Sequence, residues 1–379
     1  MGPRLGTALV LALASGAAVG CDTTPLSQRW EWNLPEGFPE PRIPEDNPMT
    51  NAKFDLGRRL FYDVRLSGNQ TESCGTCHRQ ELAFTDGLAN ALGSLGDAHP
   101  RSSMALPNVA YQATLTWANP AVRRLEDQAL LPMFGEDPIV ELGLAGMEDV
   151  LLQRLRDDDL YPTMFAEAFP DDPDPIQLVN VTAAIGCFER GLISGDSPYD
   201  RYVRGEVDAM SESALRGADL FFGERFDCFH CHGGFNFSSS VDHAGVVFQE
   251  AVFFNNGLYD IDGRGGYPPD NRGLAAFTGE VTDEGRFKPP SLRNIAVTAP
   301  YMHDGSIATL DEVIDMYAAG GRLLTEGPYV GDGRENPYKS IFVHGFEPTA
   351  EERADLLAFL VSLTDDAFLT NPRFGPPAE

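Results

Sequence analysis

Two short stretches, Cys74-Gly75-Thr76-Cys77-His78 and Cys228-Phe229-His230-Cys231-His232, constrain what this chain can fold into more than anything else in it. C-x-x-C-H is the attachment signature of a c-type haem: each thiol adds to a vinyl group and the histidine that follows becomes the proximal iron ligand. The spacing is a geometric demand. Two intervening residues let both sulfurs reach one porphyrin edge, and the adjacent histidine then lies beneath the ring. A lone C-x-x-C also suits a zinc half-site or a disulfide, but zinc needs further Cys or His ligands and neither motif has a second pair nearby. Each motif is preceded by Gly-x-x-Leu-Phe, at residues 57–61 and 217–221, so the chain reads as an internal repeat of one haem-binding unit. Cys74, Cys77, Cys228 and Cys231 are the expected attachment points of two covalently bound haem c groups, with His78 and His232 on iron.

The chain has 379 residues, enough for two domains, and at 42% hydrophobic residues it can bury proper cores. Lys+Arg 28 against Asp+Glu 57 gives a formal charge of −29, which argues against nucleic acid as a partner. An acidic surface suits a basic redox protein, although a soluble, self-repelling surface is the simpler reading.

Of the two cysteines outside the motifs, Cys187 lies in an apolar stretch and is expected as a buried free thiol. The other, Cys21, closes Ala18-Val19-Gly20-Cys21, which resembles a bacterial lipobox. Residues 1–20, with Arg4 ahead of the apolar run 8–14, read as a secretory signal peptide. Cleavage before Cys21 would give a lipid anchor; an ordinary signal peptide with a chance cysteine is the alternative. Export to the periplasm agrees with haem c attachment outside the cytoplasm. No later stretch reaches the roughly 18 apolar residues of a membrane span. Residues 21–50 form a Pro-rich tether or arm that Trp30 and Trp32 pin to the body.

Apolar periodicity predicts helices over 53–62, 125–131, 147–155, 176–192 and 213–222. Gly195 and Pro198 are expected to end the fourth. Thr309-x-x-Glu312 and Thr349-x-x-Glu352 are capping boxes that start two more. Residues 233–290, rich in Gly and Pro, read as long loops. The expected fold is mainly α: two cytochrome c-like haem domains in tandem with long loops, at 51–205 and 206–379, with a C-terminal helix packing back.

Residues 50–365 resemble the bacterial diheme cytochrome c peroxidase superfamily. The blocks that carry the resemblance are collinear: the first C-x-x-C-H, then Arg101-Ser102-Ser103-Met104-Ala105-Leu106-Pro107-Asn108, then Leu125-Glu126-Asp127-Gln128-Ala129. After the second C-x-x-C-H come Lys288-Pro289-Pro290-Ser291-Leu292-Arg293-Asn294 and Ala299-Pro300-Tyr301-Met302-His303-Asp304-Gly305. The resemblance implies a peroxidatic haem in the N-terminal half and an electron-transfer haem in the C-terminal half.

It also implies roles for single residues. Where most members carry a distal Met on the second haem, this chain has Tyr317, similar to the MauG/MbnH-like branch. A hard, anionic phenolate lowers the iron potential and a thioether raises it. Met316 is the rival ligand; on a helix the two side chains diverge by about 100°. A core tyrosine is the plain alternative. Trp117, nine residues after Asn108, falls where the family has a tryptophan between the haems, though by itself it reads as core packing. Glu141 matches the distal acid–base glutamate, with Glu136 and Asp137 as rivals, and Pro132 lines the same pocket. His99 is not at the spacing of a distal histidine, so the first haem is expected to be open or water-bound there. His303 is expected to hydrogen-bond near the interface, and His230 and His243 to be exposed. The family's calcium ion would take the carbonyls of Thr298 and Pro300, with Ser102 in place of the usual Asn.

The resulting expectation is an exported diheme peroxidase. It uses hydrogen peroxide to reach high-valent haem iron and oxidises an aromatic residue, a tryptophan, of a partner protein. The alternatives are a cytochrome c peroxidase fed by a small redox protein and a non-catalytic diheme electron carrier.

Overall fold

A computed structural model of the chain describes residue 2, residues 29–248 and residues 250–378. Cys21 and, apart from residue 2, the expected signal peptide lie outside the described residues. The regular structure of the described chain is almost all helix, joined by long irregular segments, with one antiparallel pair of two-residue strands, Leu323–Leu324 and Gly331–Asp332. No helix among the described residues is long and apolar enough to cross a membrane.

The repeated Gly-x-x-Leu-Phe is a helix crossing. The helix Asn51–Phe61 starts at Thr50, whose side chain accepts from the Lys53 N–H, and it crosses the helix Leu178–Arg190. The backbones meet at Gly57, where a Cβ would stand 1.8 Å from the Ala184 carbonyl oxygen. In the second half the helix Glu212–Phe221, capped by Ser211, crosses the helix Ala350–Val361. There a Cβ on Gly217 would stand 1.9 Å from the Asp355 carbonyl oxygen. Residues four apart share a helix face, so each crossing glycine brings its phenylalanine with it. Phe61 meets Phe188, and Phe221 meets Phe359, with ring centroids 5.0 Å apart in both.

A separate apolar core grows around each crossing, one from Phe54, Leu60, Phe61 and Phe188, the other from Phe221, Phe237, Leu356 and Phe359. Two segments tie the halves together. The arm lays Trp30 on Phe54, with Trp32 at its edge, and then packs Phe38 against the touching pair Tyr111 and Phe235. The chain end returns to the first core: Phe368 packs on Phe84, and Arg58 donates to the carbonyls of Pro372, Gly375 and Pro376.

Some expectations need correction. The single helix predicted over 125–131 is two short ones, Leu125–Gln128 and Leu130–Phe134, broken at Ala129. Pro132 is tolerated because it lies in the first turn of the second, where no intrahelical N–H bond is lost. Pro198 does not merely end a helix. It occupies the first position of the next, Pro198–Val203, behind the Ser197 cap. The helix Tyr161–Ala168, with Pro162 in its first turn, was not anticipated for the same reason.

Candidate active site

Each motif forms a single helical turn, Cys74–Cys77 and Phe229–His232, and leaves its last histidine inside the protein. His78 Nδ1 lies 2.7 Å from the Phe84 carbonyl oxygen; His232 Nδ1 lies 3.2 Å from the carbonyls of both Phe237 and Pro290. A carbonyl only accepts, so Nδ1 carries the proton and Nε2 keeps its lone pair. Burial holds both imidazoles below their ordinary pKa, His232 down to about 4. The two histidines are thus neutral and oriented as metal ligands need to be.

Beside the second motif is a mainly apolar cleft. Cys228, Cys231, His232 and Tyr317 all face it. Its apolar walls and the aimed lone pair fit a porphyrin. Met316 does not face it and is buried in the second core instead. Tyr317 leaves the helix Leu310–Ala318 on the cleft side. Burial pushes its phenol up to about 12, against a hydrogen bond with Asn256 that lowers it. A phenolate is stable there only opposite a cation. Met302, in a left-handed conformation at φ 73°, also faces the cleft, and its sulfur accepts from the Asn256 amide at 3.5 Å. Asn256 carries no spacing signal in the sequence, and Met302 stands there only as a member of the block 299–305.

Trp117 lines the same cleft, and its Nε1 donates to the Ser102 carbonyl at 2.9 Å. The cleft runs on to Thr85 and Ser103, beside the turn that holds His78. Ser102, Thr298 and Pro300 line it too. Lys288 is buried there; its amine donates to the Thr114 carbonyl at 2.8 Å, and burial lowers its pKa to about 7.

Around the first motif, Glu141 lies on a strap, residues 138–144. Ser94 N–H donates to the Glu141 carbonyl and Gly68 N–H to the Leu142 carbonyl. Leu142 N–H donates in turn to the Pro132 carbonyl at 2.8 Å, which sets Pro132 beside Glu141. Burial raises the Cys74 and Cys77 thiols, and Glu141 is close enough to add to both shifts. Burial also raises the Glu141 carboxyl above the ordinary range, whereas Glu136 and Asp137 are exposed. Glu189, fully buried near Cys74, was not singled out from sequence.

Three expectations for histidines change. His303 does not hydrogen-bond through its side chain: Nε2 is buried without a partner and the ring stacks on Phe287 at 3.7 Å. His230 and His243 are half-buried, the first stacked on Phe342. His99 Nδ1 accepts from the Arg101 N–H at 3.0 Å within its own loop. Cys187 is buried, as expected of a free thiol.

Residues 51–208 match the di-haem cytochrome c peroxidase family. The methylamine utilization protein MauG of Methylorubrum extorquens is 32% identical over 375 residues, covering 97% of this chain and 94% of that protein. The chain belongs to this family. The cytochrome-c peroxidase IdrP1 of Denitromonas iodatirespirans is 32% identical with the same coverage. The crystal structure of a MauG-like protein associated with microbial copper homeostasis superposes with a TM-score of 0.90 at 50% identity, over 92% of this chain and 99% of that one. This family member therefore stands on the MauG-like branch, and it is an enzyme of the diheme peroxidase type. Family membership implies two c-type haems, which the two aimed histidines and their paired cysteines suit.

Proposed function

We propose that this family member uses hydrogen peroxide to oxidise an aromatic residue, a tryptophan, on a partner protein. The observation that carries the reading is that Tyr317, and not Met316, faces the cleft with His232. The bound haems supply redox-active iron. Tyr317 and His232 would hold the second iron, and an anionic oxygen donor would keep its potential low. In the first half, His78 would hold the iron and Glu141 would take a proton from peroxide and return it to the leaving oxygen. Burial raises its pKa, which makes it a stronger base than an ordinary carboxylate. Pro132, apolar and alongside, limits water at that face. Trp117, between the two motifs, would pass electrons between the haems.

The proposal extends to two haem-binding domains, at about residues 51–205 and 206–379, and to a periplasmic location with a lipid anchor at Cys21. It also includes a calcium ion on the Ser102 side chain and the carbonyls of Thr298 and Pro300. The placement of these three residues around one cleft supports this, with oxygen donors of the kind calcium takes.

The test is titration of the diferric holoprotein with hydrogen peroxide while each haem is followed spectroscopically. Peroxide is a two-electron oxidant, so one equivalent should change both haem spectra together. A change confined to one haem, with turnover restored by a reduced small cytochrome, would favour an ordinary cytochrome c peroxidase.

A further inference from the structure

At the start of the second motif, the side chains of Glu224, Asp227 and His230 bring three donor atoms within 4.8 Å of one another. The pair Asp227 Oδ1 and His230 Nδ1 is the informative one. The two atoms face each other at 3.3 Å, both are buried, and neither has a hydrogen-bond partner. The contact is an ion pair when the imidazole is protonated, but it lacks hydrogen-bond geometry, so two buried polar atoms stay unsatisfied. Their separation has a ready meaning: two donors on one tetrahedral ion, at about 2.0–2.1 Å from it, sit roughly 3.3 Å apart.

The surroundings hold these donors in place. His230 is clamped by Phe342, with ring centroids 4.1 Å apart and planes 10° off parallel. The other carboxylate oxygen, Asp227 Oδ2, is engaged by His344 Nε2 at 3.1 Å, as an orienting neighbour of a metal-bound carboxylate would be. Arg225, the nearest side-chain cation in sequence, is turned away to Glu352 and the Glu347 carbonyl. Glu224 is exposed, which leaves the cluster open to solvent on one side.

We propose that Glu224, Asp227 and His230 form a binding site for a divalent transition-metal ion, with His344 positioning the Asp227 carboxylate. One imidazole and two carboxylates suit zinc or copper(II) and are a poor match for magnesium, which prefers oxygen and water.

The test uses the holoprotein, stripped with chelator and titrated with Zn²⁺ or with Cu²⁺ alone. The expected result is one ion bound per chain, with nitrogen hyperfine structure in the copper spectrum. Asp227→Asn and His230→Gln should each weaken binding at least tenfold. Asp270→Asn, an exposed acid elsewhere, should not change it. Because Asp227 and His230 flank haem-attachment cysteines, the haem content of each variant is measured too. Glu224→Gln, on the exposed side, should weaken binding several-fold without touching haem loading. Binding with no fixed stoichiometry, or stoichiometric binding that survives both His230→Gln and Glu224→Gln, would overturn the site. Such results would leave the cluster as an Asp–His ion pair on an acidic surface.

Discussion

The main-chain oxygen of Phe84 accepts from His78 Nδ1 at 2.7 Å, and it can do so only because two non-glycine residues, Ala83 and Phe84, adopt left-handed conformations at φ 50° and 60°. Phe237, at φ 49°, does the same for His232. Each such residue costs about 1–3 kcal/mol. The chain tolerates that cost in both halves, and in each the result is a buried imidazole held in one orientation.

Ala83→Gly should therefore be neutral or stabilising by up to about 1 kcal/mol, since glycine enters the left-handed region freely. Ala83→Val should destabilise by at least about 2 kcal/mol, because a β-branched side chain is strained there and the site is fully buried. Denaturant unfolding of the two variants measures the difference. Equal effects would mean that the turn is not strained.

The helix crossings give a second prediction. Gly57→Ala or Gly217→Ala places a methyl inside 2 Å of a carbonyl oxygen, so the helices must separate. Each should cost roughly 3 kcal/mol or more, read as a lowered unfolding midpoint. A loss below about 0.5 kcal/mol would show that the crossing is not close-packed.

These two features mark how far the sequence could be read. Both haem motifs, the helix starts at Thr309 and Thr349 and the repeat itself were legible, because spacing and capping chemistry are local. Why Gly57 and Gly217 recur was not, since the reason lies on partner helices more than a hundred residues away. Asn256 and Glu189 were missed, and Met302 was given no role, for the same reason: only the folded chain brings them to the sites. Prolines were read as stops where they are also starts.

Glu141→Gln should slow the reaction with peroxide by roughly two to four powers of ten while both haems stay attached, because an amide cannot shuttle the proton. Glu136→Gln, an exposed residue, should leave the rate unchanged. Burial raises the Glu141 pKa, so the acid limb of the rate profile should lie above the ordinary glutamate value of about 4.3. Below that limb the carboxyl is protonated and the rate falls. Stopped-flow mixing across pH tests all three statements.

Glu189 predicts a pH dependence of stability. Burial pushes its carboxyl up to about 8, and its Oε2 is buried without a hydrogen-bond partner. The unfolded chain loses the proton near about 4.3, the folded chain only near 8. The fold is favoured most below the lower value, and that contribution, on the order of a few kcal/mol, is lost as pH rises through the window. Glu189→Gln should flatten this loss, so the variant gains on the wild type from pH 5 to pH 8. Parallel curves for the two proteins would remove Glu189 as the cause.

Tyr317 carries the central claim, and its test needs no partner protein. The measurement is the reduction potential of each haem by spectroelectrochemical titration, in the wild type and in Tyr317→Met. If Tyr317 holds the second iron, replacing phenolate with thioether should raise one potential by a sizeable fraction of the roughly 0.8 V that axial-ligand choice spans. The other potential should stay in place, because His78 and Glu141 are untouched. If Tyr317→Met leaves both potentials unchanged while Met302→Leu or Met316→Leu lowers one, the second iron is held by a methionine and the account is wrong.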